Sequence, residues 1–359
     1  MKPRPHVLGL TPYKLSDNSI PDGQRPLILS QNESMFGCSP VVNEAIAQAS
    51  GDLPFYPDKD NRKLRQAIAH TLQLEPDKLI FGLGSTDLIV QLCMLYLEPG
   101  RTAVASEYGY IYFRKAVGMA GGEMILAAQP DLTAKSVDNI LAAVRPDTVL
   151  VFIDNPGNPT GNFLPRSEII RLRDELPEDV LLVLDEAYAE FVDLDQYEPC
   201  FDLVERGNVV VLRTFSKVYG LAGMRVGWGY FPPEIIDYMG RIRPAQNLTT
   251  LAAAAAAAAV RDQEQVYDVR EKTAVIRTNF ANQLTDLGLH PLPSCTNFML
   301  CRFDSTEDTT SALNYLRANG IVIRPVDVYG LTDHLRITMG TAEQMDRVAQ
   351  TLRDWKAQS

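Results

Sequence analysis

Apolar runs that end in polar residues recur through the middle of the chain. Three of them share one form and span residues 148–153, 180–184 and 209–212. Runs of this length without polar alternation are typical of strands buried on both faces, so they predict a mostly parallel sheet covered by helices. Ligands bind such sheets beyond the carboxyl ends of the strands. The polar residues that follow each run are therefore candidates for a functional site.

Segments of helical periodicity alternate with these strands, which predicts an α/β fold. Residues 40–49 predict a helix capped by Ser39, and residues 61–72 and 88–97 predict two more helices around a short strand at 79–81. Beyond about residue 245 the pattern changes and predicts a smaller α+β domain. Its predicted elements are helices at 252–259, 264–287, 308–319 and 341–357 and strands at 297–300, 321–324 and 335–338.

The chain is 359 residues long, which exceeds what one hydrophobic core usually organises, so we expect two domains. We predict an N-terminal arm at 1–30, a large domain at 40–245, and a small domain at 246–359 that includes part of residues 1–40. The arm is either a frayed terminus or a segment that packs on a partner subunit, and the sequence leaves both readings open.

The charge balance excludes some classes of function. Lys and Arg number 34 and Asp and Glu number 45, so the formal net charge is −11. This sign argues against non-specific binding to nucleic acid or to an anionic membrane. The five cysteines contain no C-x-x-C pair, which argues against a disulfide framework and a zinc site, and we expect no bound metal. The chain has no apolar signal segment, and we expect a cytoplasmic protein.

Lys217 is the first candidate for covalent chemistry. It follows a predicted buried strand, and a lysine in a partly desolvated position can form a Schiff base with a carbonyl group when its pKa is lowered. In isolation it would fit a surface loop equally well. Its predicted neighbours favour a pyridine cofactor, because Asp185 is suited to a protonated ring nitrogen. Tyr188 and Asn158 offer a phenol and an amide to a ring hydroxyl group.

A phosphate site is predicted where residues 82–86 open a helix. Gly84, Ser85 and Thr86 there present backbone N–H groups at the positive end of that helix. A Gly-x-Gly-Ser segment alone often marks only a turn. Its combination with Asn-Pro-Thr-Gly at 158–161, Asp-Glu-Ala-Tyr at 185–188, Ser-Lys at 216–217 and Arg225, in this order, is much more specific.

This set of motifs resembles the fold-type I pyridoxal-phosphate enzymes, and among them the histidinol-phosphate aminotransferase family, over nearly the whole chain. The resemblance implies the α/β fold of the aspartate aminotransferase-like PLP-dependent transferases. That fold has a large domain with a mostly parallel seven-stranded sheet and a smaller α+β domain. The resemblance also implies pyridoxal 5'-phosphate as the cofactor, Lys217 as the lysine that binds it as a Schiff base, and a homodimer with two composite active sites.

The resemblance assigns further residues to the cofactor. Tyr56, in Phe-Tyr-Pro-Asp at 55–58, matches a tyrosine that reaches the cofactor phosphate of the neighbouring subunit. Tyr108 matches the aromatic ring that stacks on the pyridine. Thr214, Ser216 and Arg225 match positions that bind the phosphate.

The remaining cofactor contacts and one substrate contact also follow from the resemblance. Asp185 matches the carboxylate at the ring nitrogen, and Tyr188 and Asn158 match the partners of the ring hydroxyl. Arg336, in Leu-Arg-Ile-Thr at 335–338, matches the arginine that binds the amino-acid carboxylate. A planar guanidinium suits that role, although Arg336 alone would also fit a surface ion pair.

The amino donor is less determined by the sequence. Tyr13 and Arg324 resemble positions that can bind a phosphomonoester, which favours histidinol phosphate and imidazole-acetol phosphate alongside glutamate and 2-oxoglutarate. Alternatively, Tyr13 packs the arm and Arg324 pairs with an acidic neighbour. Asn32 is predicted to bind substrate, but its segment reads Asn-Glu-Ser-Met-Phe-Gly where many family members read Asn-Glu-Asn-Pro-Tyr-Gly. With Phe36 and Tyr13 lining an apolar pocket, the same core would suit an aromatic amino-acid aminotransferase.

Three other classes of protein share parts of this pattern. A related PLP lyase, such as a phosphothreonine decarboxylase, shares the motifs, and sequence does not show which bond to Cα breaks. A transcription regulator that borrows this fold needs a basic winged-helix module before it, and only about forty residues precede the first predicted helix. A nicotinamide dehydrogenase is disfavoured because residues 82–85 lack the third glycine of G-x-G-x-x-G.

Overall fold

The structure is a computed structural model that describes residues 2–12 and 26–358. Its strands are β1 (Leu27–Leu29), β2 (Leu79–Gly82), β3 (Thr102–Ser106), β4 (Glu123–Ala127), β5 (Thr148–Asp154), β6 (Leu181–Asp185), β7 (Val209–Thr214), β8 (Gly227–Tyr230), β9 (His290–Pro291), β10 (Phe298–Arg302), β11 (Ile321–Val326) and β12 (Leu331–Thr338). Its α-helices are α1 (Pro5–Leu8), α2 (Pro40–Ala49), α3 (Arg62–Leu72), α4 (Ser85–Tyr96), α5 (Tyr112–Ala120), α6 (Val137–Ala142), α7 (Arg166–Glu175), α8 (Pro233–Ile242), α9 (Thr250–Arg261), α10 (Gln263–Asp286), α11 (Thr306–Ala318) and α12 (Ala342–Lys356).

The larger sheet has seven strands within the described ranges, in the order β2-β8-β7-β6-β5-β3-β4. Strands β3, β4, β5, β6 and β7 are parallel to one another, whereas β8 runs antiparallel to both β2 and β7. The predicted α/β fold with a mostly parallel seven-stranded sheet is therefore confirmed. The parallel strands bring the carboxyl ends of β5, β6 and β7 to one edge of the sheet.

Both faces of this sheet are buried, which explains why its central strands contain unbroken apolar runs. In β5, Val151 and Ile153 face one apolar cluster, and Leu150 and Phe152 face another. All four side chains are at most 1% exposed. Helices cover both faces, so no position in the strand interior needs a polar residue.

The alanine-rich segment packs as a helix against the larger sheet's core. In α9, alanines at 252, 255, 256, 257 and 259 are buried in the same cluster as Val42 of α2 and Leu64 of α3. Methyl side chains allow the helix backbones to approach closely. The domain boundary near residue 246 stays a prediction.

A second, smaller sheet has the order β1-β11-β12-β10-β9 in the described part of the chain. Strand β1 is parallel to β11, and the other pairs are antiparallel. Side chains of α10, α11 and α12 form an apolar cluster with this sheet, which confirms the smaller α+β unit. Because β1 comes from the N-terminal part of the chain, this sheet joins two segments that are distant in sequence.

Two local predictions were imprecise. Ser39 occupies the predicted N-cap position of α2, but its side chain makes no capping hydrogen bond; its hydroxyl donates a hydrogen bond to Asp262 Oδ2 at 2.5 Å. Helix α4 begins at Ser85, three residues before the predicted start, because the glycine-containing turn leads directly into the helix. No helix among the described residues combines the length and the apolar character that a membrane crossing requires.

Candidate active site

A cavity of about 490 Å³ opens where the carboxyl ends of β5, β6 and β7 face the smaller sheet. Most of the predicted site residues line it, although they come from segments between residues 32 and 336. These are Asn32, Gly84, Ser85, Thr86, Asn158, Asp185, Tyr188, Thr214, Ser216, Lys217, Arg225, Arg324 and Arg336. The cavity volume is within the usual range for a cofactor or small-molecule site.

One wall of the cavity is suited to an anion. Helix α4 starts at Ser85 after Gly84, whose φ of 84° is in the left-handed region that glycine tolerates. Arg225 lies against this turn, and a Cβ on Gly84 would be 2.6 Å from Arg225 Nη2. Arg225 Nη1 is also 3.4 Å from Ser216 Oγ. Backbone N–H groups, a helix N-terminus and a guanidinium therefore converge there.

Lys217 is half-buried and follows the end of β7 by three residues. Its Nζ donates a hydrogen bond to the backbone oxygen of Gln31 at 3.1 Å and lies 5.5 Å from the centre of the Tyr188 ring. Partial burial of the amine, assisted by the positive charge of Arg336, lowers the pKa of Lys217 to about 7. A large fraction of this amine is therefore neutral and nucleophilic near neutral pH.

Asp185 is the last residue of β6 and its side chain is buried. One carboxylate oxygen accepts a hydrogen bond from the backbone N–H of Ala187 at 3.2 Å. Burial, followed by the nearby carboxylate of Asp154, raises the pKa of Asp185 to about 7. A cationic group bound beside Asp185 would favour the ionised form of this carboxylate and offset the cost of burying it.

Tyr188, Asn158 and Asn32 form a hydrogen-bonded group next to Asp185. The Tyr188 hydroxyl accepts a hydrogen bond from Asn32 Nδ2 at 2.9 Å and a longer one from Asn158 Nδ2 at 3.5 Å. Burial raises the pKa of Tyr188 to about 12, so the phenol keeps its proton at neutral pH. Because the phenol oxygen accepts these two bonds, its hydrogen is available to donate to a ligand.

Arg336 connects this group to the smaller sheet. Its Nη1 donates a hydrogen bond to Asn158 Oδ1 at 2.5 Å, and its Nη2 donates one to the backbone oxygen of Ser30 at 2.8 Å. The guanidinium lies 5.3 Å from the centre of the Phe298 ring. Arg324 is the register partner of Arg336 on the adjacent strand, so the two cationic side chains enter the cavity from neighbouring strands.

Residues from the two ends of the chain meet at the cavity. Residues 30–33, directly after β1, line it, and the backbone N–H of Asn32 donates a hydrogen bond to Thr338 Oγ1 at 3.0 Å. Asn32 Oδ1 accepts a second bond from the same hydroxyl at 3.2 Å. Strand pairing between β1 and β11 brings Asn32, a predicted site residue, to the cavity.

The structure places two predicted residues away from the cavity, and a third lies outside the described residues. Tyr108 does not line the cavity; it packs with Leu300 and Val326 on the smaller sheet. The lining tyrosine in this loop is Tyr110, so the placement does not support stacking by Tyr108. Tyr56 is 86% exposed. Tyr13 is the predicted residue outside the described ranges.

Sequence reasoning missed several lining residues besides Tyr110. Asp154 ends β5 beside Asp185, and the strand-end argument applied to Asp185 would have identified it. Tyr329, which also lines the cavity, accepts a hydrogen bond from the backbone N–H of Ile111 at 3.1 Å. It comes from a short turn between β11 and β12, where no motif marks it.

The sequence and the fold are similar to those of known proteins. Residues 25–352 match the family described as aminotransferase class I and II. The chain is 40% identical to the histidinol-phosphate aminotransferase of Granulibacter bethesdensis over 359 residues, which cover 100% of this chain and 97% of that protein.

Two solved structures share the fold of this chain. The histidinol-phosphate aminotransferase of Sinorhizobium meliloti, solved in complex with pyridoxal-5'-phosphate, superimposes with a TM-score of 0.92 at 33% identity, covering 99% of this chain and 98% of that one. The L-threonine-O-3-phosphate decarboxylase of Porphyromonas gingivalis shares the fold, with a TM-score of 0.80 at 21% identity over 92% of this chain and 99% of that chain. The chain therefore belongs to the aminotransferase class I and II family.

Proposed function

We propose that this chain is a PLP-dependent aminotransferase that moves an amino group between the glutamate/2-oxoglutarate pair and the histidinol phosphate/imidazole-acetol phosphate pair. The observation that carries the proposal is the convergence, in one cavity, of a lysine amine with a pKa of about 7, a buried carboxylate and an anion-binding helix start. The similarity to full-length histidinol-phosphate aminotransferases supports the same assignment.

The residues of the cavity fit pyridoxal 5'-phosphate. The turn at Gly84 and Arg225 would hold the phosphate, and Asp185 would hold the pyridine nitrogen in its protonated form. Tyr188 and Asn158, which already contact each other, would hold the ring hydroxyl. The acidic, basic and amide groups of the site thus correspond to the three polar parts of the cofactor.

When bound, pyridoxal phosphate supplies an electron sink for the negative charge that develops at the Cα of an amino acid. Lys217 is the residue that moves the Cα proton, because its pKa of about 7 allows the amine to accept and return a proton near neutral pH. The carboxylate of Asp185 would stabilise the positive charge of the protonated pyridine nitrogen. Tyr188 remains a hydrogen-bond donor throughout, since its pKa is about 12.

The cations of the cavity favour an anionic substrate. Arg336 would bind the carboxylate of glutamate, for which a guanidinium is geometrically suited. Arg324, on the neighbouring strand, provides a second cation at the same end of the cavity and would bind the phosphate of histidinol phosphate. We propose that these two arginines let one site accept both substrates in turn.

The alternative substrates have less support from the structure. An aromatic amino-acid aminotransferase was predicted to use Phe36 as part of an apolar pocket, but Phe36 packs against the core of the larger sheet and does not line the cavity. The decarboxylase reading rests on a likeness at 21% identity, which concerns the fold alone.

We also propose a homodimer with composite active sites. Leu53, Phe55 and Tyr56 are 62–86% exposed and lie within four consecutive residues. Leu83, next to the turn that starts α4, is 48% exposed. Exposed apolar groups of this kind often mark a protein interface. A partner subunit covering them would bring its Tyr56 towards the phosphate end of the cavity.

A half-reaction screen tests the proposal. The protein is loaded with pyridoxal phosphate and mixed separately with glutamate, histidinol phosphate, histidinol, phenylalanine, tyrosine and phosphothreonine, while the cofactor spectrum is recorded. We expect glutamate and histidinol phosphate to convert the spectrum, with one 2-oxoglutarate formed per site from glutamate. Histidinol, which lacks the phosphate, should react at least about tenfold less efficiently. Carbon dioxide release from phosphothreonine without 2-oxo acid formation would contradict the proposal.

A further inference from the structure

Lys135 is a buried cation that the proposed mechanism does not use. It lies in the loop between β4 and α6, and its side chain is 1% exposed. Its Nζ donates a hydrogen bond to Asn162 Oδ1 at 2.8 Å and forms an ion pair with Asp154 Oδ1 at 3.4 Å. The side chain of Asp154 is 5% exposed, so both charges of this pair are removed from water.

The Pro-rich loop after β5 is shaped around this ammonium group. A Cβ on Gly157 would lie 2.2 Å from Lys135 Nζ and 2.6 Å from Asn162 Oδ1. Any side chain at position 157 would thus displace the ammonium or its partner. Asn162 Nδ2 in turn donates to the backbone oxygen of Leu132 at 3.1 Å, which ties the lysine's own loop to the loop after β5.

The ion pair is connected to the proposed cofactor and substrate groups through Asn158. The second carboxylate oxygen of Asp154 accepts a hydrogen bond from the backbone N–H of Asn158 at 2.7 Å. The side chain of Asn158 contacts the Tyr188 hydroxyl at 3.5 Å and the Arg336 guanidinium at 2.5 Å. Lys135 is therefore separated from the Asn158 backbone by a single residue, Asp154.

The position of Asp154 creates the need for a compensating cation. Asp154 and Asp185 are register partners at the ends of adjacent parallel strands, so two buried carboxylates lie side by side. Burial raises the pKa of Asp154 and lowers the pKa of Lys135, while the attraction between them opposes both changes. Each of the two groups therefore favours the charged form of the other, and removing one leaves an uncompensated charge in the interior.

We propose that Lys135 is a positioning residue of the active site: by compensating the charge of Asp154, it allows that carboxylate to hold Asn158 between Tyr188 and Arg336 while Asp185 lies beside it. The inference rests on the proposed function, since it assigns Lys135 a role in that site. It predicts that the charges at 135 and 154 are needed as a pair, and that neither is needed alone.

A double-mutant cycle tests this pairing. The variants are Lys135→Met, Asp154→Asn and the double variant, which keeps an amide oxygen at position 154 to accept the Asn158 N–H but contains neither charge. The dissociation constant of pyridoxal phosphate is measured by titrating the apoprotein. The KM for glutamate is measured in the half-reaction of the loaded protein.

We expect each single variant to weaken cofactor binding about tenfold or more and to raise the KM for glutamate. We expect the double variant to return to within about threefold of the wild type, because contacting charges give strongly non-additive effects. Lys272→Met is the matched control, because Lys272 pairs with Asp268 at 2.6 Å on the exposed surface of α10. Exposed pairs contribute little, so it should change neither quantity.

Additive effects, with a double variant at least as impaired as the worse single variant, would overturn the inference and show that Lys135 only fills space. If Lys135→Met fails to fold, the double variant still decides, since its recovery supports the pairing and its failure contradicts it. The wild-type titration separates this inference from the proposed function. Absence of wild-type cofactor binding refutes the function itself, whereas wild-type binding with additive variants refutes only the role of Lys135.

Discussion

Replacing Arg336 by methionine removes one of the cations that lower the pKa of Lys217. The ordinary pKa of a lysine is 10.5, and in this site it is about 7. At pH 7 about half of the Lys217 amines are therefore neutral, compared with about one in 3,000 for an ordinary lysine. Burial is the main cause of the lowered pKa and Arg336 is the next, so the variant should retain most of the effect.

The size of the change follows from the charge that is removed. One cation in a partly solvated cavity moves a neighbouring pKa by about 0.3 to 1 pH unit. Loss of the Arg336 charge favours the protonated amine, so the pKa of Lys217 should rise. At pH 6, where most of the amine is protonated, the neutral fraction should fall by a factor of about 2 to 10.

The assay is the rate at which the apoprotein captures pyridoxal phosphate, followed by absorbance between pH 5.5 and 9. Only the neutral amine attacks the cofactor's carbonyl group, so the wild-type rate should rise with pH through about 7 and then level off. Asp185 titrates in the same range, so the comparison is repeated in an Asp185→Asn background. Capture is preferred to turnover because Arg336 is proposed to bind the substrate carboxylate and not the cofactor.

The matched control is Arg353→Met, which removes an arginine from the exposed face of α12. It should leave the pH profile of capture unchanged. A shift of the midpoint towards lower pH in Arg336→Met, or an equal shift in Arg353→Met, would refute this prediction. Either result would mean that the positive charge of Arg336 does not lower the pKa of the Lys217 amine.

Further predictions concern single positions around the cavity. Lys217→Ala should abolish the visible absorbance of the lysine-bound cofactor and reduce turnover by a factor of about 10² to 10⁴ or more, measured by single-turnover kinetics with glutamate. Gly227→Ala should weaken pyridoxal phosphate binding and lower the melting temperature, because a Cβ there would lie 2.1 Å from the backbone nitrogen of Ser85. Arg324→Met should raise the KM for histidinol phosphate at least about tenfold and leave the KM for glutamate within about threefold. Tyr56→Phe should weaken cofactor binding only in the dimer, which sedimentation and cofactor titration at several protein concentrations would show.

The sequence predicted the elements whose burial pattern is simple. Strands β5, β6 and β7 are buried on both faces, so each contains an apolar run, and each ends in a polar residue that lines the cavity: Asp154, Asp185 and Thr214. Strand β8 was not predicted, because Gly-Trp-Gly-Tyr contains no apolar run. Its glycine at position 227 is explained by the backbone of α4 against which it lies, and that contact is tertiary.

The site residues near strand ends could also be predicted from the sequence, whereas those in irregular loops could not. Asp185 ends β6, and Lys217 and Asn158 closely follow the ends of β7 and β5, so the sheet topology brings these three positions to the same edge. Tyr108 and Tyr110 are two residues apart in an irregular loop without periodicity, so the sequence does not indicate which ring faces the cavity. Lys135 lies in a loop without a motif, and only the side-chain packing around Gly157 reveals its place.

The hydrogen bonds from Asn32 to Thr338 and from Arg336 to Ser30 each join residues 306 positions apart. During synthesis, residues 30–33 therefore cannot form these hydrogen bonds until almost the entire chain has been made. Contacts of such long range form late and slowly. A nascent chain on the ribosome that already contains Lys217 would still lack the part of the cavity formed by the last residues. Binding of pyridoxal phosphate should therefore begin only after the completed polypeptide is released.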